Sequence, residues 1–346
     1  MSKSLTPTSQ RKKEHIELCL TDKVAFKQKT NGFDKYEFIH RADTEVDISR
    51  ISFRTKLFKH QIDFPFLISC MTGGTEEAEN INRRLASIAK ELKIPIGVGS
   101  QRQALENKAF HNSYKVIRKT ASEVPVWGNI GAAQIANAKN ISEILFLIDI
   151  LEADGFVIHL NPLQELIQKE GEPNFVGLYK NLEKLILQTS LPVIIKEVGS
   201  GISKETAKRF LNAGAKGIDV AGAGGTSWAG VEILRNKSGN EFWDWGLPTS
   251  YCLKEIYPLK KKFNFVLIGS GGINSANDLA MAFTFGSDLV ASARVILQTL
   301  MNSGEEAVKN LIINWFDHLK KVMFLTGSQN LKEFKKNKFI KKDDLY

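Results

Sequence analysis

The sequence predicts an α/β protein folded as a (β/α)8 (TIM) barrel, with an N-terminal extension and a long insertion after the sixth strand. Three observations carry this expectation. Short apolar segments alternate with stretches of helical periodicity, the pattern of βα units and a parallel sheet. Eight such units fit into about 230 residues, which suits a closed barrel better than an open, doubly wound sheet, the second choice. Every one of the eight segments ends in small or polar residues, as expected where strand ends converge on one face.

The strands are FPFLIS (64–69), IPIGVG (94–99), PVWGNI (125–130), GFVIHL (155–160), PVIIKEV (192–198), GIDVAG (217–222), FVLIGS (265–270) and DLVAS (288–292). Between them EEAENINRRLASIAKELK, ISEILFLIDILEA, KETAKRFLNAG and NDLAMAFTFG have the composition of helices. Residues 1–63 form the extension, 64–300 the barrel, and 301–346 a C-terminal helix with a basic tail. Residues 223–248, rich in Gly and carrying Trp228, Trp243 and Trp245, form the insertion; long loops of this kind are usually functional or disordered, and the tryptophans argue for order. No low-complexity linker divides the chain, so residues 1–346 are expected to form one domain.

Composition narrows the function. With 346 residues, 43% of them hydrophobic, the chain can bury a large core. It has no apolar run long enough to span a bilayer and no apolar core of a signal peptide near its start, so no membrane role is expected. Cys19, Cys70 and Cys252 are odd in number and contain no CxxC pair, which points to reduced thiols in a cytoplasm rather than structural zinc. The net charge of +9 raises the possibility of nucleic acid, but part of it sits in LKEFKKNKFIKKDDLY, read as a solvated end, and no RNA-binding strand motif or base-reading helix is present. A basic protein can equally serve an anionic small substrate.

The chemistry follows the strand ends: CMTGGT, GSQR, GNIGAAQ, HLNPLQE, Lys196, AGAGGTSW, GSGGINS and ASAR, in that order. The last two are the loops that build a phosphate site in many such barrels, where glycine backbone and a helix N-terminus meet the anion. Lys196 lies inside an apolar strand, where a lysine needs a partner; it could be a Schiff-base lysine, a cation near a cofactor or a rim residue. In HLNPLQE, His159 and Asn161 share a side of the chain, and Pro162 ends the strand so that Gln164 and Glu165 come over the pocket.

Taken together, RKKEH, MTGG, GSQR, GNIGA, HLNPLQE, VIIKEVGSG, GGTSW and GSGGI…AR resemble, in order, the type II isopentenyl diphosphate isomerases over roughly residues 11 to 300. The resemblance implies a flavin barrel that interconverts isopentenyl and dimethylallyl diphosphate with reduced FMN, Mg2+ and NADPH as reductant, and no net redox change. It implies a homo-oligomer, tetramer or octamer. Arg11, Lys12, His15, Ser100, Arg102, His159, Asn161 and Gln164 become substrate contacts, with Gln101 in the same group, Gln164 and His159 the catalytic side chains and Glu165 the metal ligand. Cofactor contacts fall on Cys70, Met71, Thr72, Ser100, Asn129, Lys196, Ala221, Thr226, Gly272, Ile273, Asn274, Ala293 and Arg294. The reduced flavin is the implied acid and base, since no pair of strand-end carboxylates is placed for that task. The sequence departs from the family at Cys70, where alanine is usual, at Asn274 in place of a basic residue, at Arg294 in place of a small one, and in KEGEPNF. The competing expectations are another FMN barrel (a hydroxy-acid oxidase or dihydroorotate dehydrogenase-like enzyme), a nucleic-acid binder and a non-catalytic phosphate-binding barrel.

Overall fold

The computed structural model describes residues 7–345 apart from Ser238, Asn240, Asn337 and Lys338; the first six residues of the expected extension lie outside the described residues. Eight strands form its centre: β1 (Phe66–Ile68), β2 (Ile96–Gly97), β3 (Val126–Gly131), β4 (Gly155–Leu160), β5 (Val193–Glu197), β6 (Gly217–Asp219), β7 (Val266–Gly269) and β8 (Leu289–Ser292). Each is parallel to the next, and β8 closes onto β1 with Val290 opposite Phe66 and Ser292 opposite Ile68. The open-sheet alternative is therefore excluded. Each observed strand lies within its predicted segment except β3, which continues to Gly131. Where a predicted segment overran, as at 94–99, 217–222 and 265–270, the flanking residues are also small or apolar but already belong to the loops.

The helices form for local reasons that the sequence displays. Glu76–Leu92 is capped by Thr75, whose side chain accepts from the Ala78 N–H, and it carries Glu76, Glu77 and Glu79 in its first turn. It ends at Lys93 in the left-handed conformation. Ser203 and Ser275 cap Lys204–Asn212 and Ala276–Thr284 in the same way. The first of these helices turns Ile81, Leu85, Ile88 and Leu92 inward at helical spacing.

Below the barrel, an antiparallel hairpin pairs Thr55–Leu57 with His60–Ile62. Its Leu57 and Ile62 pack with Leu67, Trp127, Val157, Ile194, Ile268 and Leu289, which are the barrel's interior residues. The hairpin stoppers the N-terminal mouth, and the other mouth is left for a site.

The C-terminal part differs from expectation in two ways. The helix Arg294–Ser303 crosses the boundary placed at residue 300, and Glu305–Leu325 joins the helical ring, packed on Glu76–Leu92 and Ala276–Thr284. It buries Val308, Ile312, Trp315, Phe316 and Leu319. The lysine-rich tail is not merely a solvated end. Phe339–Lys341 pairs antiparallel with Tyr36–Phe38, Phe339 stacks on Phe285 at 4.2 Å, and Phe334 is fully buried. Lys335 bridges to Asp288 at 2.7 Å. Two phenylalanines inside the lysine run bury enough apolar area to dock the segment, while most of its lysines stay at the surface. Phe334→Ala should lower unfolding stability by about 3–5 kcal/mol, read as a reduced urea midpoint; an unchanged midpoint would mean the tail contributes nothing to the core.

Candidate active site

One cavity opens at the C-terminal ends of the strands, and all but one of the site residues singled out above line it, from Arg11, Lys12 and His15 to Ala293 and Arg294. The N-terminal helix Pro7–Cys19 and the insertion helix Trp228–Asn236 cover it. Gln101, grouped with Ser100 and Arg102 on sequence, does not line it. Its side chain is wholly buried, accepts from the Asn129 N–H at 3.0 Å and donates to the Leu147 carbonyl at 2.9 Å, so it braces β3 instead.

His159 is the next-to-last residue of β4, and its Nδ1 lies 2.9 Å from Asn129 Oδ1; when the neutral ring donates there, Nε2 is the acceptor. Burial, with Lys196 and Lys12 nearby, brings its pKa down to about 4. Asn161 is the residue before the short helix Pro162–Ile167, in which Pro162 takes the first position; the proline starts a helix as well as ending the strand. That helix stacks Gln164 and Glu165 over the cavity. Asn161 Nδ2 donates to Glu165 Oε1 at 2.9 Å, and the Glu172 N–H donates to Oε2 at 2.7 Å. Asn161 Oδ1 is buried with no hydrogen-bond partner.

Glu232, fully buried on the insertion helix, is the hub of the cover. His15 Nε2 and Gln164 Nε2 both reach its Oε1, at 2.9 and 3.0 Å, and Arg235 binds its other oxygen. Burial acts to raise the Glu232 carboxyl, but His15, Gln164 and Arg235 outweigh it and hold it below the usual carboxylate range. With its amide turned to suit its neighbours, Gln168 donates to Glu232 at 3.3 Å and accepts from Arg11 at 2.9 Å. Arg235 also binds Glu14 at 2.9 Å, so the N-terminal helix is tied to the insertion at two points. Trp228 and Glu232 thus complete the pocket of their own chain. The sequence marks the insertion as ordered by its tryptophans but gives no sign of the role Trp228 and Glu232 take.

The cations sit in two groups. Arg11, Lys12 and Arg102 line one side; burial and the nearby Arg102 lower the pKa of Arg11. Lys12 donates to the carbonyls of Gly73 and Ser100 and to the Tyr114 hydroxyl, and burial with Arg11 nearby brings it to about 7. Arg102 binds Glu172 at 2.6 Å. Elsewhere, Lys196 Nζ lies 3.8 Å from Asp219 Oδ2, the partner its buried position requires. Glu197 faces away from the cavity and accepts the backbone N–H groups of residues 198–201. Tyr114, Asp219, Gln168 and Glu172 were not anticipated: each acts through another residue, and sequence spacing carries no signal for that.

The loops after β6, β7 and β8 form the second corner. Gly271 and Gly272 have φ of 97° and 71°, and a side chain on either would strike the backbone of Gly222 or Gly224. Ala293 precedes the helix Arg294–Ser303 without a side-chain cap, and Arg294 Nη1 is buried with no hydrogen bond, 3.5 Å from Asp22. Cys70 lines the cavity with its thiol pressed against Gly97, and burial pushes that thiol up to about 12.

The His159 shift has a consequence for stability. The unfolded chain protonates this ring near its ordinary 6.5 and the folded chain only near 4, so the stability it contributes is complete above pH 6.5 and is lost as the pH falls toward 4. Urea unfolding between pH 6.5 and 4 should show this loss, and His159→Gln should flatten the slope; an equal slope in the variant would show that another group is responsible.

Comparison with known proteins places the chain. Residues 6–121 and 158–341 match the family model described as FMN-dependent dehydrogenase. An isopentenyl-diphosphate delta-isomerase of Chlorobium phaeobacteroides is 42% identical over 97% of this chain and 96% of the relative, and one of a Nostoc species is 40% identical over 95% and 94%. Among solved structures, a lactate oxidase of Pediococcus acidilactici superposes with a TM-score of 0.71 at 17% identity, covering 96% of this chain and 92% of that one. A flavocytochrome b2 variant gives 0.69 at 18% identity, covering 94% and 82%. These two likenesses establish the barrel alone. By the family match and the near-full-length identity, the chain belongs to the FMN-dependent dehydrogenase family and, within it, to the type II isopentenyl-diphosphate delta-isomerases.

Proposed function

We propose that the protein interconverts isopentenyl and dimethylallyl diphosphate, using reduced FMN and Mg2+, with NADPH as reductant. The observation that carries this is the presence of two anion-seeking corners in one cavity. One is built of glycine backbone and Arg294, the other of Arg11, Lys12, His15 and Arg102 beside the buried Glu165. A flavin phosphate and a substrate diphosphate need one each.

The residues present fit both cofactors. Arg294 Nη1, buried and without a hydrogen bond, and the uncapped helix behind Ala293 suit a phosphate. Asn161 Oδ1, buried and unpartnered next to Glu165, suits a hydrated Mg2+, which commonly takes one or two carboxylates and completes its shell from waters and phosphate. Among the described residues there is no cluster of three or more His, Cys, Asp or Glu, so metal affinity would depend on the substrate's own oxygens.

When bound, reduced FMN supplies the acid and base for placing a proton on one alkene carbon and removing one from its neighbour. The chain does the rest. Lys196, braced by Asp219, is a fixed cation for the flavin's anionic edge. His159 stays neutral and presents Nε2 as an acceptor; Gln164, pinned by Glu232, keeps its amide oriented over the substrate as a proton relay. Met71, Ile16 and Trp228 give that part of the cavity an apolar lining, which keeps water from the carbon centres. The N-terminal helix and the C-terminal helix share the barrel's core, which supports one working domain. Three free thiols support a cytoplasmic setting, and no helix among the described residues is long and apolar enough to cross a membrane. A homo-oligomer, tetramer or octamer, is proposed on the family resemblance alone.

The deciding experiment is anaerobic incubation of the FMN-loaded protein with isopentenyl diphosphate, Mg2+ and NADPH in D2O. Deuterated dimethylallyl diphosphate, formed only with reduced flavin, is expected; no product despite reduced flavin would favour hydride chemistry of the oxidase kind. Glu165→Gln should raise the Mg2+ concentration needed for half-maximal rate and cut turnover while leaving flavin affinity intact, and unchanged Mg2+ dependence would remove Glu165 from the metal site. Arg294→Ala should weaken FMN binding roughly ten- to a hundredfold in a fluorescence titration, the loss of one charged hydrogen bond.

A further inference from the structure

Arg102 and Glu172 meet at the edge of the cationic corner. Arg102 Nη2 lies 2.6 Å from Glu172 Oε1, and Glu106 approaches its Nε at 3.4 Å. Arg11 is close enough to Arg102 for the two guanidiniums to repel. A carboxylate on Arg102 is therefore favoured whether or not a ligand is present.

Glu172 reaches that position by an unusual route. The chain turns back after the helix Pro162–Ile167, with the Gly171 N–H donating to the Gln168 carbonyl at 2.9 Å. A side chain at Gly171 would collide with the Glu165 carbonyl, so only glycine lets the turn sit so close. The turn places the Glu172 N–H under the Glu165 carboxylate, at 2.7 Å, and the Asn174 N–H on the Glu172 carbonyl, also at 2.7 Å. The backbone of Glu172 is thus anchored, while its side chain is 43% exposed and held by Arg102 through one short contact.

We propose that Glu172 is a resident carboxylate stand-in for the substrate's phosphate: it neutralises Arg102 in the free protein and is displaced when the diphosphate arrives. The side chain can leave without disturbing the Glu172 N–H that positions Glu165, because the two bonds belong to different parts of the residue. A diphosphate presents several oxygens to the planar fork of an arginine and outcompetes a single carboxylate contact. Glu172 therefore lowers the apparent affinity for diphosphate while keeping the arginines in place. A purely structural residue would do the opposite, since its loss could only weaken binding.

This inference rests on the diphosphate reading of the cationic corner, so the probe is binding rather than turnover. Inorganic pyrophosphate would be titrated into the FMN-loaded protein by calorimetry at fixed Mg2+ and ionic strength. Glu172→Gln is expected to tighten pyrophosphate about threefold, the size of effect typical of a half-exposed ion pair. Glu172→Asp should stay near wild type. In an Arg102→Gln background, Glu172→Gln should change nothing, because the pair it breaks is already gone. Unchanged or weaker binding in Glu172→Gln, or the same tightening without Arg102, would overturn the proposal. Failure of the wild-type protein to bind pyrophosphate at all would overturn the diphosphate reading and this inference with it.

Discussion

Hydrogen bonding of β8 to β1 is the constraint on which everything above the barrel depends. Closure turns eight strand ends into a ring and removes both sheet edges at once. Because residues one apart on a strand face opposite ways, closure also decides which of Lys196 and Glu197 enters the cavity and which braces the loop behind it. Residues more than two hundred positions apart, such as Cys70 and Ala293, become neighbours only through it.

The cover is held by a different kind of force. The barrel is an apolar assembly, whereas the N-terminal helix is tied down by polar contacts, most of them buried: His15 and Glu14 to Glu232 and Arg235, and Lys12 to backbone oxygens. Such groups pay a desolvation penalty that good geometry must offset, so they contribute less net stability than their short distances suggest. What they supply is orientation. Glu232 fixes a histidine and a glutamine from two separate segments, and it can do so only while all three are held together.

Much of this was legible in the sequence, and the limits are physical. The barrel showed itself because buried strands and amphipathic helices differ in period, and the lining residues because small and polar types gather at strand ends. His159, Asn161, Gln164 and Glu165 could be placed by counting from Pro162. Gln101 was misplaced because the resemblance carried GSQR over as one group, whereas the backbone turns at Gln101 toward the helix that follows and takes its side chain away from its neighbours' pocket. The tail was misread because its lysines dominate composition while its phenylalanines decide docking. Glu232 and Glu172 act through partners 217 and 70 residues away, a relation that one sequence does not encode in its spacing.

The thiol of Cys70 presses on Gly97 across the β1–β2 seam. Those two positions are therefore a single unit of variation: with cysteine at 70, residue 97 has no freedom to acquire even a methyl group, whereas a smaller residue at 70 would release it. Two substitutions that each look conservative would be incompatible in one order of appearance and neutral in the other. Any side chain at position 97 therefore requires a smaller residue at position 70 first, so change at this seam is constrained to proceed in pairs.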